Sequence, residues 1–280
     1  MNILVNYANK DYESARKWNT ITGRLFGRFD LVHEYTPDDI DEEFKKRNSG
    51  ILSYKRGNGL WLWKPYFIER TIRESNDGDV IFYFDSGSFF IRNPRILLDY
   101  ISDSSPIFAC DIPLIECNWT KPECFQAMDA WQFKSENQFW AGVQIIRVND
   151  FTRKFYLELL NLCCNEELIS PAGFGKMEII DRKMGESFIS HREDQSIFSL
   201  LCHKYGIRSH RDISHRGKDA KTYYSPYYLY REMPHKDDKY PTIIYLHKCN
   251  SLSRLFMVEI YKRLKISKFR SFWMKNMAKK

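Results

Sequence analysis

An α/β fold is what this sequence predicts: a mostly parallel central sheet with helices on both faces, followed by a separate basic tail. Three observations carry that prediction. Val80–Phe84 are five apolar residues in a row behind the turn signal Asn76-Asp77-Gly78, and they read as a strand buried on both faces. Two further apolar strand segments, 3–8 and 138–147, flank it in sequence with helix signals in between. A chain of 280 residues is long enough for one large α/β domain or two small ones.

In chain order, Ile3–Ala8 reads as a first core strand and Asp11–Thr20 as a helix. Asp30–Tyr35 is a second strand, and Thr36-Pro37-Asp38-Asp39 opens an acidic helix with Thr36 as its cap. Gly57 and Gly59 let the backbone turn, and Pro65 starts a helix with Phe67, Ile68 and Ile72 on one side. Lys64 therefore lies at a helix N-terminus, where free N–H groups and a cation face the same way. Trp61 and Trp63 read as core packing. Asn93-Pro94 begins another helix, Pro106–Asp111 a short strand, and 112–137 an irregular stretch of the kind that forms a substrate loop.

The pair Ala141-Gly142, at the start of the 138–147 strand, allows close backbone approach. Asp150 is expected to cap a helix with the stripe Phe151, Phe155, Leu159, Leu162 and Cys163. A later helix carries Glu193, Asp194 and Gln195 in its first turn and stops at Gly206. In the polar, tyrosine-rich segment 207–240, His210, His215 and His235 are expected to be exposed. A last strand, Thr242–Leu246, delivers His247-Lys248 to a strand end like that of Asp85.

The net charge of +7 is unevenly placed. Residues 251–280 hold nine Lys/Arg against one acid, a net +8, which leaves −1 on the other 250 residues. A near-neutral body argues against nucleic acid as a partner. The division is a domain over 1–250 and a basic tail over 251–280. Phe269, Phe272, Trp273 and Met277 share one helical face of that tail, which suits an anionic membrane surface, or else docking on the body. The seven cysteines include no Cys-x-x-Cys pair and read as free thiols of a reducing compartment. The first residues lack signal-peptide character, and no apolar run approaches the roughly 18 residues of a membrane span. A cytoplasmic protein, peripheral at most to the inner face of a membrane, is expected.

Asp85 ends the central strand with the small residues Ser86 and Gly87 behind it, where open α/β sheets bind ligands. A lone strand-end aspartate more often just caps a turn, so its company matters. That company is a strand ending Asn6-Tyr7-Ala8, the cationic helix start at Lys64, the Phe139-x-Ala-Gly-Val143 strand, the Asp194-Gln195 helix and the late His247-Lys248. In this order the pieces resemble the GT-A nucleotide-sugar glycosyltransferases, Rossmann-like enzymes, and most of all family 8 and related bacterial surface-polysaccharide enzymes.

The resemblance implies roles position by position. Asp85 would be the first acid of the family's Asp-x-Asp and, with His247, a ligand of a divalent metal, Mn or Mg, although Gly87 stands where the second acid belongs. Tyr7 and Ala8 would border the base, Ser86 and Gly87 the donor, and Lys64 and Lys248 its diphosphate side. Ala141-Gly142 would pass beneath the sugar, with Trp140 in place of the family's Asn, and the usual His-Phe-x-Gly pattern is missing after the last strand. Asp194 and Gln195 would lie at the anomeric carbon as the catalytic pair. The implied partners are a nucleotide-diphosphate sugar, UDP-sugars favoured, and a glycan or lipid-linked acceptor in bacterial capsule or lipopolysaccharide synthesis. The rivals are a sugar-nucleotide nucleotidyltransferase, which should carry a Gly-rich basic signature after its first strand, and a non-catalytic protein that binds a membrane or nucleic acid through its tail.

Overall fold

The computed structural model describes residues 1–171, 188–217 and 235–247. Lys248 and the whole basic tail lie outside the described residues.

Six strands form the main sheet: β1 (Asn2–Tyr7), β2 (Leu31–Tyr35), β3 (Val80–Phe84), β5 (Ile107–Ile115), β6 (Asn137–Arg147) and β7 (Ser209–His210), in the order β2-β1-β3-β6-β5-β7. β1 pairs parallel with both β2 and β3, and β5 parallel with β7. Only β6 runs against its neighbours. The expected mostly parallel sheet is therefore present, with one reversed strand.

All five residues of β3 are buried because both faces of the sheet are covered. Ile81 and Tyr83 join one core with Ile3, Val5, Phe67, Phe155, Ile197 and Phe198. That core is roofed by the helices Trp63–Glu74, Asp150–Cys163 and Glu193–Lys204. Val80, Phe82 and Phe84 point the other way, against Leu4, Phe90, Leu97, Phe108 and Ile243. The period-2 alternation of a strand splits one apolar run between two cores.

Several expectations change. Asn149, not Asp150, caps the Asp150–Cys163 helix: its side chain accepts from the Thr152 N–H at 2.9 Å, and Asp150 is the first helical residue. The irregular stretch 112–137 contributes the end of β5 and two short helices, Glu116–Trp119 and Pro122–Ala127. Ala141-Gly142 lies in the middle of β6. The late strand, β8 (Ile244–Leu246), does not join the main sheet. It pairs antiparallel with β4 (Ser88–Phe90), the segment that follows Asp85. His210 is buried rather than exposed, with Nδ1 3.0 Å from Asp238 Oδ1, and His235 lies 2.5 Å from Asp111. A buried imidazole with a carboxylate partner leaves no local sequence signal.

Candidate active site

The strand order changes direction between β1 and β3, so the crevice at their carboxyl ends is the ligand position of an open α/β sheet. β1 ends there at Tyr7-Ala8 and β3 at Asp85. Because β6 is reversed, its Ala141-Gly142 pair comes to the same edge, and the Asp85 N–H donates to the Gly142 carbonyl at 2.9 Å. Ser86 Oγ donates to the Tyr7 carbonyl, and the His247 N–H to the Gly87 carbonyl at 2.8 Å. Six of the residues singled out in the sequence are thus joined in three pairs by hydrogen bonds to backbone carbonyls at one place.

Side chains bring in the rest. Lys64 is the second residue of its helix and only 5% exposed. Its Nζ lies 2.9 Å from Asp194 Oδ2 and 3.4 Å from Asp85 Oδ1. The Tyr83 hydroxyl, one side-chain step down the same face of β3, donates to Asp85 Oδ1 at 2.6 Å. Burial pulls the lysine pKa down, but the two carboxylates outweigh it and the pKa ends raised. Burial also pushes the Asp194 carboxyl up, against the pull of Lys64. These tendencies oppose each other across one contact, and the 2.9 Å approach supports the ionised pair. Beneath it lies a cavity of about 10 Å³ bordered by Lys64, Ala141, Gln144, Cys163 and Asp194, room for about one water. Ala141 is small where the pair needs space.

Lys64 reaches this position through unusual backbone. Five consecutive residues, Gly57, Asn58, Gly59, Leu60 and Trp61, have φ of +59°, +52°, +90°, +54° and +60°. This left-handed turn costs each non-glycine residue about 1–2 kcal/mol. A Cβ on Gly57 would meet the Trp61 ring at 2.2 Å. The turn is pinned by Asn58 Nδ2 donating to the Tyr7 hydroxyl and by Trp63 Nε1 donating to the Gly57 carbonyl at 2.9 Å. Trp63 also stacks on Tyr7, with centroids 3.8 Å apart. Tyr7 is accordingly only 5% exposed.

The Asp194 helix begins in a matching way. Glu193 has φ +46° and is held by Arg56, whose Nε lies 2.6 Å from Oε1 and whose Nη2 lies 3.3 Å from Oε2. Arg56 directly precedes the left-handed turn. One bidentate ion pair thus ties together the starts of the two helices that supply Lys64 and Asp194. Gln195, the next residue, is held through its nitrogen: Nε2 donates to Gln138 Oε1 at 2.9 Å.

A metal finds few donors here. Among the described residues no group of three or more His, Cys, Asp or Glu could hold one. Asp85 Oδ1 already meets Lys64 and Tyr83. A Cβ on Gly87 would sit 3.0 Å from the His247 carbonyl, so a second acid at that position would press on the chain just after β8. The described residues do not make a metal site by themselves.

Arg56, Tyr83, Gln138 and Glu116, whose Oε2 lies 3.2 Å from Gln138 Nε2, are site residues that sequence reading passed over, and Glu193 has only a helix-start role in it. Arg56 adjoins the Gly-Asn-Gly signal and Gln138 opens the Phe-x-Ala-Gly-Val segment, but nothing local marks Glu116. The remaining candidate, Lys248, lies outside the described residues.

No protein-family model and no curated protein matches the chain. Among solved structures it is similar to mouse xyloside xylosyltransferase 1 (TM-score 0.49, 10% identity, covering 90% of this chain and 99% of that one). It is also similar to an active-site mutant of LgtC (TM-score 0.47, 13% identity, 89% and 88%). A third is the glycosyltransferase GlyE of Streptococcus pneumoniae (TM-score 0.41, 11% identity, 89% and 54%).

Proposed function

We propose that the chain is a GT-A glycosyltransferase that moves a hexose from a nucleotide-diphosphate sugar to a glycan or lipid-linked acceptor, in the synthesis of a bacterial surface polysaccharide. One observation carries this reading: Lys64, Asp85 and Asp194 form one buried-to-exposed charge cluster at the crevice between β1 and β3. Asp85 is the member open to the crevice, its side chain 37% exposed, while Lys64 and Asp194 lie behind it.

Sugar transfer builds positive charge at the anomeric carbon as the diphosphate departs. Carboxylates fixed in a low-dielectric wall favour that charge without having to reorganise. Asp194 is held by Lys64, and Asp85 by Lys64 and Tyr83, so both are oriented before a donor arrives. Lys64 keeps the two negative groups close together. A divalent cation, if used, would draw on Asp85, His247 and the phosphate oxygens, and Mn or Mg suits such oxygen-rich ligation. The basic tail, on this reading, brings the domain to a lipid-linked acceptor.

A thermal-shift screen of UDP, GDP, CDP and dTDP, each with and without Mn, tests the site. One diphosphate should raise Tm by several degrees in wild type and fail to do so in Asp85→Ala. Indifference to all four would overturn the reading.

A further inference from the structure

We propose that Glu116 and Gln138 are positioning residues for Gln195: they lock the direction of its side-chain amide, so that Oε1, and not Nε2, is the atom turned toward a reacting sugar. The inference deepens the transferase reading above and rests on it.

The end of an amide side chain has two atoms of nearly equal size, and only its partners decide which is which. At one end of the Gln138 amide lie Glu116 Oε2 at 3.2 Å, the Trp119 carbonyl at 3.3 Å, Thr120 Oγ1 at 2.9 Å and Ser196 Oγ at 3.3 Å. The carbonyl has no hydrogen to give. The two hydroxyls give theirs elsewhere: Thr120 to Glu116 Oε2 at 2.5 Å and Ser196 to the Trp119 carbonyl at 2.7 Å. Glu116 Oε2 already accepts from Thr120, the carbonyl can only accept and neither hydroxyl has a hydrogen left to give, so the atom facing all four is nitrogen. Gln138 Oε1 must then face Gln195, and it accepts from Gln195 Nε2 at 2.9 Å. The Gln195 nitrogen is thereby held inward, and its Oε1 points away from the buried network.

The chain of constraint is well protected. Glu116 and Gln138 are 0% exposed and Gln195 is 6% exposed. Ser199 Oγ donates to the second carboxylate oxygen, Oε1, and itself accepts from the Phe139 N–H at 2.6 Å. His203 lies 3.6 Å from Glu116, but its Nε2 is turned to the Asn137 carbonyl at 3.0 Å, and burial lowers its pKa. Reversing the Gln138 amide would set oxygen against a carboxylate and a carbonyl, and nitrogen against nitrogen. An amide oxygen favours developing positive charge where an amide N–H would oppose it. The direction of this one amide, next to Asp194, therefore bears on rate rather than on donor binding.

The test compares Gln138→Leu, Glu116→Leu and Glu116→Gln with wild type. Hydrolysis of UDP-, GDP-, CDP- and dTDP-linked hexoses supplies kcat and KM. Protein labelled with ¹⁵N-glutamine, with Gln195→Ala for assignment, reports hydrogen exchange of the Gln195 amide. The expected result is a tenfold or greater fall in kcat for both leucine variants, with KM within threefold. Glu116→Gln, which keeps one acceptor oxygen, should stay within threefold of wild-type kcat, and Gln195 amide exchange should be slow in wild type and fast in Gln138→Leu. Wild-type kcat with slow exchange in Gln138→Leu overturns the proposal. So does a joint fall of kcat, KM and Tm that Glu116→Gln does not relieve. A wild type that hydrolyses no donor overturns the transferase reading, and the exchange measurement then judges the amide lock separately.

Discussion

Two buried carboxylates within one site meet opposite treatment. Asp194 is 5% exposed and faces an ammonium at 2.9 Å. Glu116 is 0% exposed and faces hydroxyls and an amide, with burial pushing its pKa to about 7. Both belong to the structure around the Asp194 helix. Burial pushes the pKa of the first up as well, but a cation that also touches Asp85 pulls against it. The second is left on the edge of neutrality, because neutral donors offset only part of the cost of burying its charge. A carboxylate meant to meet developing charge is held charged, and one meant to hold a neighbour in place needs only hydrogen bonds.

The largest expected effect comes from removing the cation. Lys64→Met leaves Asp85 and Asp194 facing each other without compensation. Breaking a buried ion pair in this way costs about 3–5 kcal/mol of stability, and donor hydrolysis should fall at least 100-fold. Urea unfolding and single-donor kinetics measure the two. If Lys64→Met keeps wild-type stability, the contrast with Glu116 loses its basis.

Glu116 sharpens the comparison through pH. Its pKa is raised in the fold from an ordinary 4.5 to about 7, so the folded state binds the proton more tightly than the unfolded chain does. The stability this contributes is full below pH ~4.5 and is lost as pH rises through ~7, up to about 3 kcal/mol in all. Buried His191 and half-buried His203, with lowered pKa values, tilt stability the other way. The readout is therefore a difference: wild type should lose stability relative to Glu116→Gln between pH 5 and 8 in urea titrations. A constant difference across that range would mean that Glu116 does not titrate there.

The smallest effect is expected at the link between the two helix starts. Arg56→Ala strands the buried Glu193 carboxylate, yet Arg56 is itself 53% exposed and screened by solvent. A loss of about 1–2 kcal/mol is expected by urea unfolding. Glu193 should relax out of its left-handed backbone, and KM for the donor should rise more than kcat falls. If Arg56→Ala changes neither, the ion pair does not couple the two helices.

How far the site could be read in advance varies residue by residue. Asp85 was legible because a polar residue that closes a run of five apolar ones marks a strand end without any knowledge of neighbours. Lys64 was legible as a helix start because Pro65 follows it. Its burial was not, since an isolated lysine reads as solvated until two carboxylates are placed against it. Gly57 and Gly59 announced a turn. That Asn58, Leu60 and Trp61 would share its left-handed backbone depended on Tyr7 and Leu52 packing against it. The late strand was found, but its partner β4 was not, because a short strand's periodicity does not name the strand beside it.

The sequence by itself determined the succession of strands and helices and which residues stand at their ends, because side-chain period and turn chemistry act over a few residues. Only the tertiary structure decided which charges meet. Reversing β6 carries Ala141-Gly142 to the Asp85 end of the sheet, and a left-handed turn lowers Lys64 onto Asp194. Electrostatic pairing is set by distances through space, and segments remote in the chain have no distance until the fold supplies one.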